Sequence, residues 1–265
     1  MTQRESGVEQ AARVLPLRLR SGVMSLPEDR RSQIEELRLR VGLPMAAVLP
    51  EGERALAGPP VTQQELEQLL ELASRASVHA VLDQLSRGYL TVQGGHRVGL
   101  CGTVALEDGA VRTIRKLSSA AVRVARQFPG AAEEVLPSLL ESGRLESALI
   151  LAPPGLGKTP LLRDLVRAVS AGEGAPPRRV GVADERGEIA ALFDGVPQLD
   201  VGPRTDVMEG CPKAWGLMTL LRGMNPQVLA VDEITAPEDV AAAAYSALYA
   251  LQHRGQESCG MAVND

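Results

Sequence analysis

One stretch limits what this chain can become more than any other. It is Leu149-Ile150-Leu151-Ala152-Pro153-Pro154-Gly155-Leu156-Gly157-Lys158-Thr159. It reads as a buried apolar strand from Leu145 to Leu151, then a glycine-containing loop, then a Lys-Thr pair that opens a helix. The pattern is that of a phosphate-binding loop, G-x-x-x-x-G-K-[ST], with Ala152 where the first glycine usually stands. Backbone N–H groups at a helix N-terminus concentrate partial positive charge on an anion. Gly155 and Gly157 permit backbone conformations that a side chain would hinder. Ala152, Pro153, Pro154, Gly155, Leu156, Gly157, Lys158 and Thr159 are therefore the expected nucleotide-binding set. Lys158 would reach the β- and γ-phosphates, and the Thr159 hydroxyl would ligate Mg²⁺. Pro160 fits the first helical turn, where an N–H has no intrahelical acceptor. Beyond it, Leu161, Leu162, Leu165, Val166 and Val169 share one helical face, with Arg163, Asp164 and Arg167 off it.

The rest of the second half alternates strand and helix, which argues for a mostly parallel sheet with helices on its faces. Arg179 to Arg186 and Gln227 to Glu233 read as apolar strands ending in acids. Gln198 to Asp206 reads as a loop, and Lys213 to Met224 as a helix. In open parallel sheets, ligands bind beyond the carboxyl ends of strands. Asp184-Glu185 and Asp232-Glu233 lie there. Four apolar residues, Val228 to Val231, precede the second pair, as in a Walker B strand. Asp232 and Asp184 are thus candidate metal residues beside Thr159. Glu233 and Glu185 are candidate catalytic bases for a water nucleophile, and the residues alone do not choose between them.

The first half has a different rhythm. Residues 1–24 are Arg-rich and read as irregular, with a short helix from Gly7 to Leu19. A helix follows from Pro27 through Ile34. Leu37, Leu39 and Val41 alternate with Arg38 and Arg40, marking a half-buried strand. Met45 to Leu49 is the next strand. Thr62-Gln63-Gln64-Glu65 is a capping box, and Val78 to Leu85 a further helix. Tyr89 to Val92 and Arg97 to Leu106 form a hairpin over Gly94-Gly95, and Asp108-Gly109 starts another. Val111 to Ile114 and Ala121 to Ala125 complete the strands. The expected layout is an α+β domain over 25–140, a nucleotide-binding domain over 141–235 and a tail over 236–265. Arg112, Arg115, Arg123 and Arg126 end the first domain and read as a solvated basic face, with an arginine finger as the sharper alternative. His96, on a turn, reads as structural.

Composition excludes several classes. The 265 residues are 45% hydrophobic but only 2% aromatic, so the core must be aliphatic. A net charge of −5 gives no general electrostatic case for nucleic acid. The three cysteines, Cys101, Cys211 and Cys259, form no CxxC pair, which fits a reducing compartment. Met1 to Gln10 has no signal core, and no run approaches 18 apolar residues. The expected location is cytoplasmic, with any membrane contact made through partners.

Four strings carry a resemblance. Ile34-Glu35-Glu36-Leu37-Arg38-Leu39-Arg40, Gly94 to Gly102 (GGHRVGLCG), Asp184 to Ala190 (DERGEIA) and Asp200 to Ala214 (DVGPRTDVMEGCPKA) resemble the stage III sporulation protein AA family over about residues 25–235. The resemblance implies an ATPase related to the motors of type II and type IV secretion and of pili, using ATP and Mg²⁺. It implies a RecA-like second domain, a homo-oligomeric and typically hexameric ring, and service to a membrane complex joining mother cell and forespore. On it, Asp184, Glu185, Asp232 and Glu233 map onto the acidic boxes. After Ile234 the pattern departs. Leu248 to Ser258 (LYALQHRGQES) is similar to the N-terminal region of amidophosphoribosyltransferase, without a cysteine at the catalytic position of that enzyme. The expectation is a foreign tail and an ATPase domain incomplete at its C-terminal end, with hydrolysis in doubt. The alternative is a helix from Glu238 to Gln252 and a strand at Gly260 to Val263 in the places of the family's own.

Overall fold

Alternation of leucine and arginine over residues 36–40 produces strand β1 (Glu36–Arg40), with Leu37 and Leu39 fully buried. The computed structural model describes residues 6–75, 82–107, 109–141, 144–153, 155–234 and 259–264. It divides into two units, Met1–Arg126 and Gln127–Asp265. The division falls ahead of the expected 140 for a physical reason. The Asp164 carboxylate accepts the N–H groups of Gly130 and Ala132 at 2.9 and 2.8 Å. Leu136 packs among Leu162 and Leu165, so 127–140 belongs with the second unit.

In the first unit β1 joins β2 (Ala46–Leu49), β3 (Gly52–Ala55), β4 (Tyr89–Val92), β5 (His96–Glu107) and β6 (Ala110–Arg123) in one antiparallel sheet of order β3-β2-β1-β6-β5-β4. Gly94 and Gly95 turn the β4–β5 hairpin with φ of +87° and +75°. The two strands expected at 111–114 and 121–125 are one strand, β6. Register shifts near Gly102 let it follow β5 along its whole length. The edge strand β3 is short and exposed and has no apolar pattern.

The short helix expected from Gly7 to Leu19 is present in pieces, and the helical structure runs on further than expected. α1 (Gly7–Ala11), a 3₁₀ turn (Ala12–Val14), α2 (Leu17–Met24) and α3 (Glu28–Arg31) put Val8, Ala11, Leu15, Leu19 and Val23 into the same core as the sheet. The segment's arginines masked the extension to Met24, because an amphipathic helix of one or two turns shows too few periods to register. Helix α4 (Gln63–Ala73) starts at the expected capping box. The Glu65 N–H donates to Thr62 Oγ1 at 3.2 Å, and the Thr62 N–H to Glu65 Oε2 at 2.9 Å. Of the helix expected at 78–85, residues 78–81 lie outside the described residues, and α5 covers Leu82–Ser86. Its Gln84 carbonyl accepts the N–H of Thr91 on the sheet edge.

The second unit opens with a small hairpin, β7 (Leu140–Glu141) and β8 (Arg144–Leu145). Strand β9 (Ala148–Leu151) leads into α6 (Lys158–Ala171). Strand β10 (Val180–Asp184) precedes a second small hairpin, β11 (Leu192–Phe193) and β12 (Val196–Pro197). Then come β13 (Thr205–Glu209), α7 (Lys213–Gly223), β14 (Val228–Val231) and β15 (Cys259–Asn264). Five strands make a parallel sheet of order β13-β10-β14-β15-β9. Leu162, Leu165 and Val166 of α6 pack with Val180, Val182 and Val228. Leu217 and Leu220 of α7 join Ala183, Leu229 and Val231 in a separate cluster.

Three expectations change here. β9 was read as buried, but it lies at the sheet edge, with Leu149 and Leu151 55% and 67% exposed. Thr205 and Asp206, read as loop, open the edge strand β13. Arg163 and Asp164, placed off the helical face, are buried by the hydrogen bonds they make to neighbouring loops. Most of the tail, including the helix considered at 238–252, lies outside the described residues. β15, which follows it, pairs in parallel with β14 and β9.

Candidate nucleotide site at the sheet end

The loop after β9 reaches α6 through Gly155 and Gly157, with φ of +79° and +83°. Only glycine adopts these angles without strain. Neither position has an atom within 4 Å of where a Cβ would stand, so the loop is open to a ligand as well as conformationally glycine-dependent. Gly157 is the N-cap of α6 and supplies no side-chain acceptor. The helix N-terminus therefore keeps its capacity for an anion. Pro160 falls in the first turn, as expected. Lys158 is buried and donates from Nζ to the carbonyls of Ala152 (2.8 Å) and Pro153 (3.3 Å). Leu156 and Pro153 are exposed, and Pro154 lies outside the described residues.

The end of β14 meets the start of α6. Thr159, second residue of α6, donates its hydroxyl to the Asp232 carboxylate, with Oγ1 3.2 Å from one oxygen and 3.3 Å from the other. Asp232 is buried, and its carboxyl is pushed up to about 7. Burial is the main cause, reinforced by the negative charges of Glu188, Asp184 and Glu233 and opposed by the Thr159 hydroxyl.

Asp184 is fully buried and turned to another task. One oxygen accepts the N–H of Glu188, and the other accepts those of Ile189 and Ala190, each at 2.9 Å. Burial raises its pKa while these three N–H groups pull it back. It shapes the 185–190 loop from below. Arg163 holds the same loop from α6, its Nε donating to the Ile189 carbonyl at 2.7 Å and its Nη2 to that of Glu188 at 2.5 Å.

The two glutamates expected as bases are differently placed. Glu185 is ion-paired with the buried Lys213 of α7 at 2.5 Å. Glu233 follows Asp232 directly, has a φ of +45° and is ion-paired with Arg186 at 2.5 Å. From the sequence, Arg186 reads only as part of an ion-paired loop, and Glu188, Arg163 and Lys213 carry no assigned role. Glu188 and Arg186 lie inside the DERGEIA string quoted above, but their partners are distant in sequence. Among the described residues, no group of three His, Cys, Asp or Glu side chains forms a ready-made metal cluster. His96 of the first unit is buried at the start of β5, and its Nδ1 accepts the Ala125 N–H at 3.0 Å. This is a structural placement, as expected.

Comparison with known proteins gives the family and the fold. The stage III sporulation protein AA of Bacillus subtilis (strain 168) is 40% identical over 233 residues, spanning 88% of this chain and 75% of that protein. At the level of fold, the ATPase DotB of Legionella pneumophila matches with a TM-score of 0.56 and 15% identity, over 99% of this chain and 67% of that one. The pilus retraction motor PilT, solved with bound ADP, matches with a TM-score of 0.57 and 16% identity, over 90% and 65%. The family model described as sporulation stage III, protein AA matches residues 5–253, wider at both ends than the resemblance read from the strings. The chain belongs to the sporulation stage III protein AA family.

Proposed function

We propose that this chain binds ATP with Mg²⁺ in the loop 152–159 and hydrolyses it as a motor component of a sporulation transport complex. The observation that carries the reading is the contact between Thr159 and Asp232. It joins the phosphate-binding helix to the acidic strand at one point, from residues 73 positions apart. The donor set fits the ion: a hydroxyl and a carboxylate are hard oxygen ligands, and Mg²⁺ keeps waters and substrate phosphates for its other positions. The loop fits the nucleotide, since its glycines are open and Lys158 donates to two loop carbonyls that a phosphate can replace. When bound, Mg²⁺ would neutralise charge developing on the β- and γ-phosphates. Lys158 and the α6 N-terminus would hold the phosphates, and Glu233 would accept the proton of the attacking water. Asp184 positions the 185–190 loop and is not needed as a direct ligand.

Assembly as a ring, contact with membrane proteins and a cytoplasmic position belong to the same proposal. Among the described residues no helix is long and apolar enough to cross a membrane.

Steady-state phosphate release from purified protein tests the reading, beside Lys158→Ala and Glu233→Gln. Release that depends on both residues is expected. Wild-type release no greater than that of Lys158→Ala overturns it. A second reading, binding without turnover, is favoured by one observation: both candidate bases are held in ion pairs. Tight, Lys158-dependent ATP binding with no phosphate release would select it.

A further inference from the structure

We infer that Arg186 is the residue that senses the γ-phosphate, exchanging the Glu233 carboxylate for it. The inference rests on the nucleotide site proposed above and adds to it the group that distinguishes ATP from ADP.

Arg186 and Lys213 each pair with one of the two candidate bases, but they differ in freedom. The Lys213 side chain is 5% exposed and starts on α7, whereas that of Arg186 is 53% exposed. The backbone beneath Arg186 is fixed. Asp184 accepts three N–H groups from residues 188–190, and Arg163 binds the carbonyls of 188 and 189. Gly187 has a φ of +67°, and a Cβ there would stand 3.0 Å from the Glu209 carboxyl carbon. A long cationic side chain, half exposed and paired with Glu233, thus stands on a held loop. Arg163, which holds that loop, is on the same helix as Lys158 and Thr159. Glu233, the anion Arg186 now binds, adjoins Asp232, which touches Thr159.

A guanidinium is permanently charged and matches phosphate oxygens with two parallel donors. The γ-phosphate of ATP brings a larger negative charge than one carboxylate into a site already crowded by Glu188, Asp184, Asp232 and Glu233. Arg186, paired with the residue next to Asp232, adds a second cation to that of Lys158. Moving to the phosphate, it leaves the Glu233 carboxylate free for water. ADP lacks the γ-phosphate and leaves the pair closed. No bond is made or broken in this exchange.

Calorimetric titration with Mg-ADP and with the non-hydrolysable β,γ-imido analogue of ATP tests it, without requiring turnover. Arg186→Gln should lower the preference for the triphosphate about tenfold, the size of a charge-assisted hydrogen bond. ADP affinity should stay within about twofold, which also reports intact folding. Arg186→Lys should restore part of the preference. Glu233→Gln removes the competing anion and should strengthen triphosphate binding when Arg186 is present, but not in the double variant. The inference is overturned by an unchanged preference in Arg186→Gln, by equal losses for both nucleotides, or by the same Glu233→Gln effect in both backgrounds. If Lys158→Ala binds both nucleotides like wild type, the nucleotide site itself fails and this inference with it. If Lys158→Ala loses binding while Arg186→Gln keeps its preference, only the sensing role fails.

Discussion

Burial makes both Asp184 and Asp232 reluctant to ionise, yet their surroundings separate them. Asp184 receives three backbone N–H groups, whereas Asp232 receives one hydroxyl and faces other acids. A carboxyl whose folded pKa is raised to about 7 stabilises the fold below the usual carboxylate range, and that stability is lost as pH rises from about 4 to about 7. Asp232→Asn keeps a partner for Thr159 without the charge. It should raise thermal stability at pH 8 by roughly 2–4 kcal/mol in a melting experiment while removing the Mg²⁺ dependence of nucleotide binding. His96 carries the opposite sign. Burial lowers its pKa to about 4, so the unfolded chain binds the extra proton between pH 6.5 and 4. Stability falls across that window as pH is lowered, by about 3 kcal/mol. His96→Asn, whose carbonyl can accept from Ala125 in place of Nδ1, should flatten that part of the stability curve, read by denaturant titration at pH 4.5 and 7. The acids at 184 and 232 were legible in the sequence because each ends an apolar strand. The ion pair of Arg186 with Glu233 was not, since it joins residues 47 positions apart and no local pattern marks it. The burial of His96 was hidden by the two glycines before it, which point to a turn and not to the core face of the strand that follows.

Among the elements, those with strong local signals matched their expectation. The capping box of α4 and the apolar strand β14 formed where the pattern placed them. Thr62→Ala should destabilise the first unit by about 1 kcal/mol, measured by chemical denaturation. The misses were elements without such signals. β13 has every residue half-buried, so its sequence Thr-Asp-Val-Met-Glu shows no clean alternation. β3 is exposed and polar, and the part of α2 beyond Leu19 is too short for a helical period to stand out. Gly102 illustrates a constraint that pattern reading does not reach. A Cβ there would lie 2.0 Å from the Lys116 carbonyl oxygen across the β5–β6 ribbon. Gly102→Ala should cost more than 2 kcal/mol and appear as lost amide protection in both strands by hydrogen exchange.

At the scale of the molecule, the two units have separate cores, one around Leu37, Leu66 and Val122, the other around Leu162, Val182 and Val228. Ligand binding stabilises only what binds it. Scanning calorimetry should therefore show two transitions, with Mg-ATP raising the second unit's by about 2.7 kcal/mol at a hundredfold excess over Kd and leaving the first in place. The strand order of the second unit has a further consequence, for synthesis. β9, which carries the phosphate loop, and β14, which carries the acids, are not neighbours; β15 lies between them. During translation the first unit can close its sheet while the second is still being made. The nucleotide site cannot close before residues 259–264 have been synthesised. At typical elongation rates that is roughly 5–20 s after residue 151 is added. Through that interval β9 lacks its partner strand, and a nascent chain stalled before residue 259 should hold a finished first unit and no nucleotide.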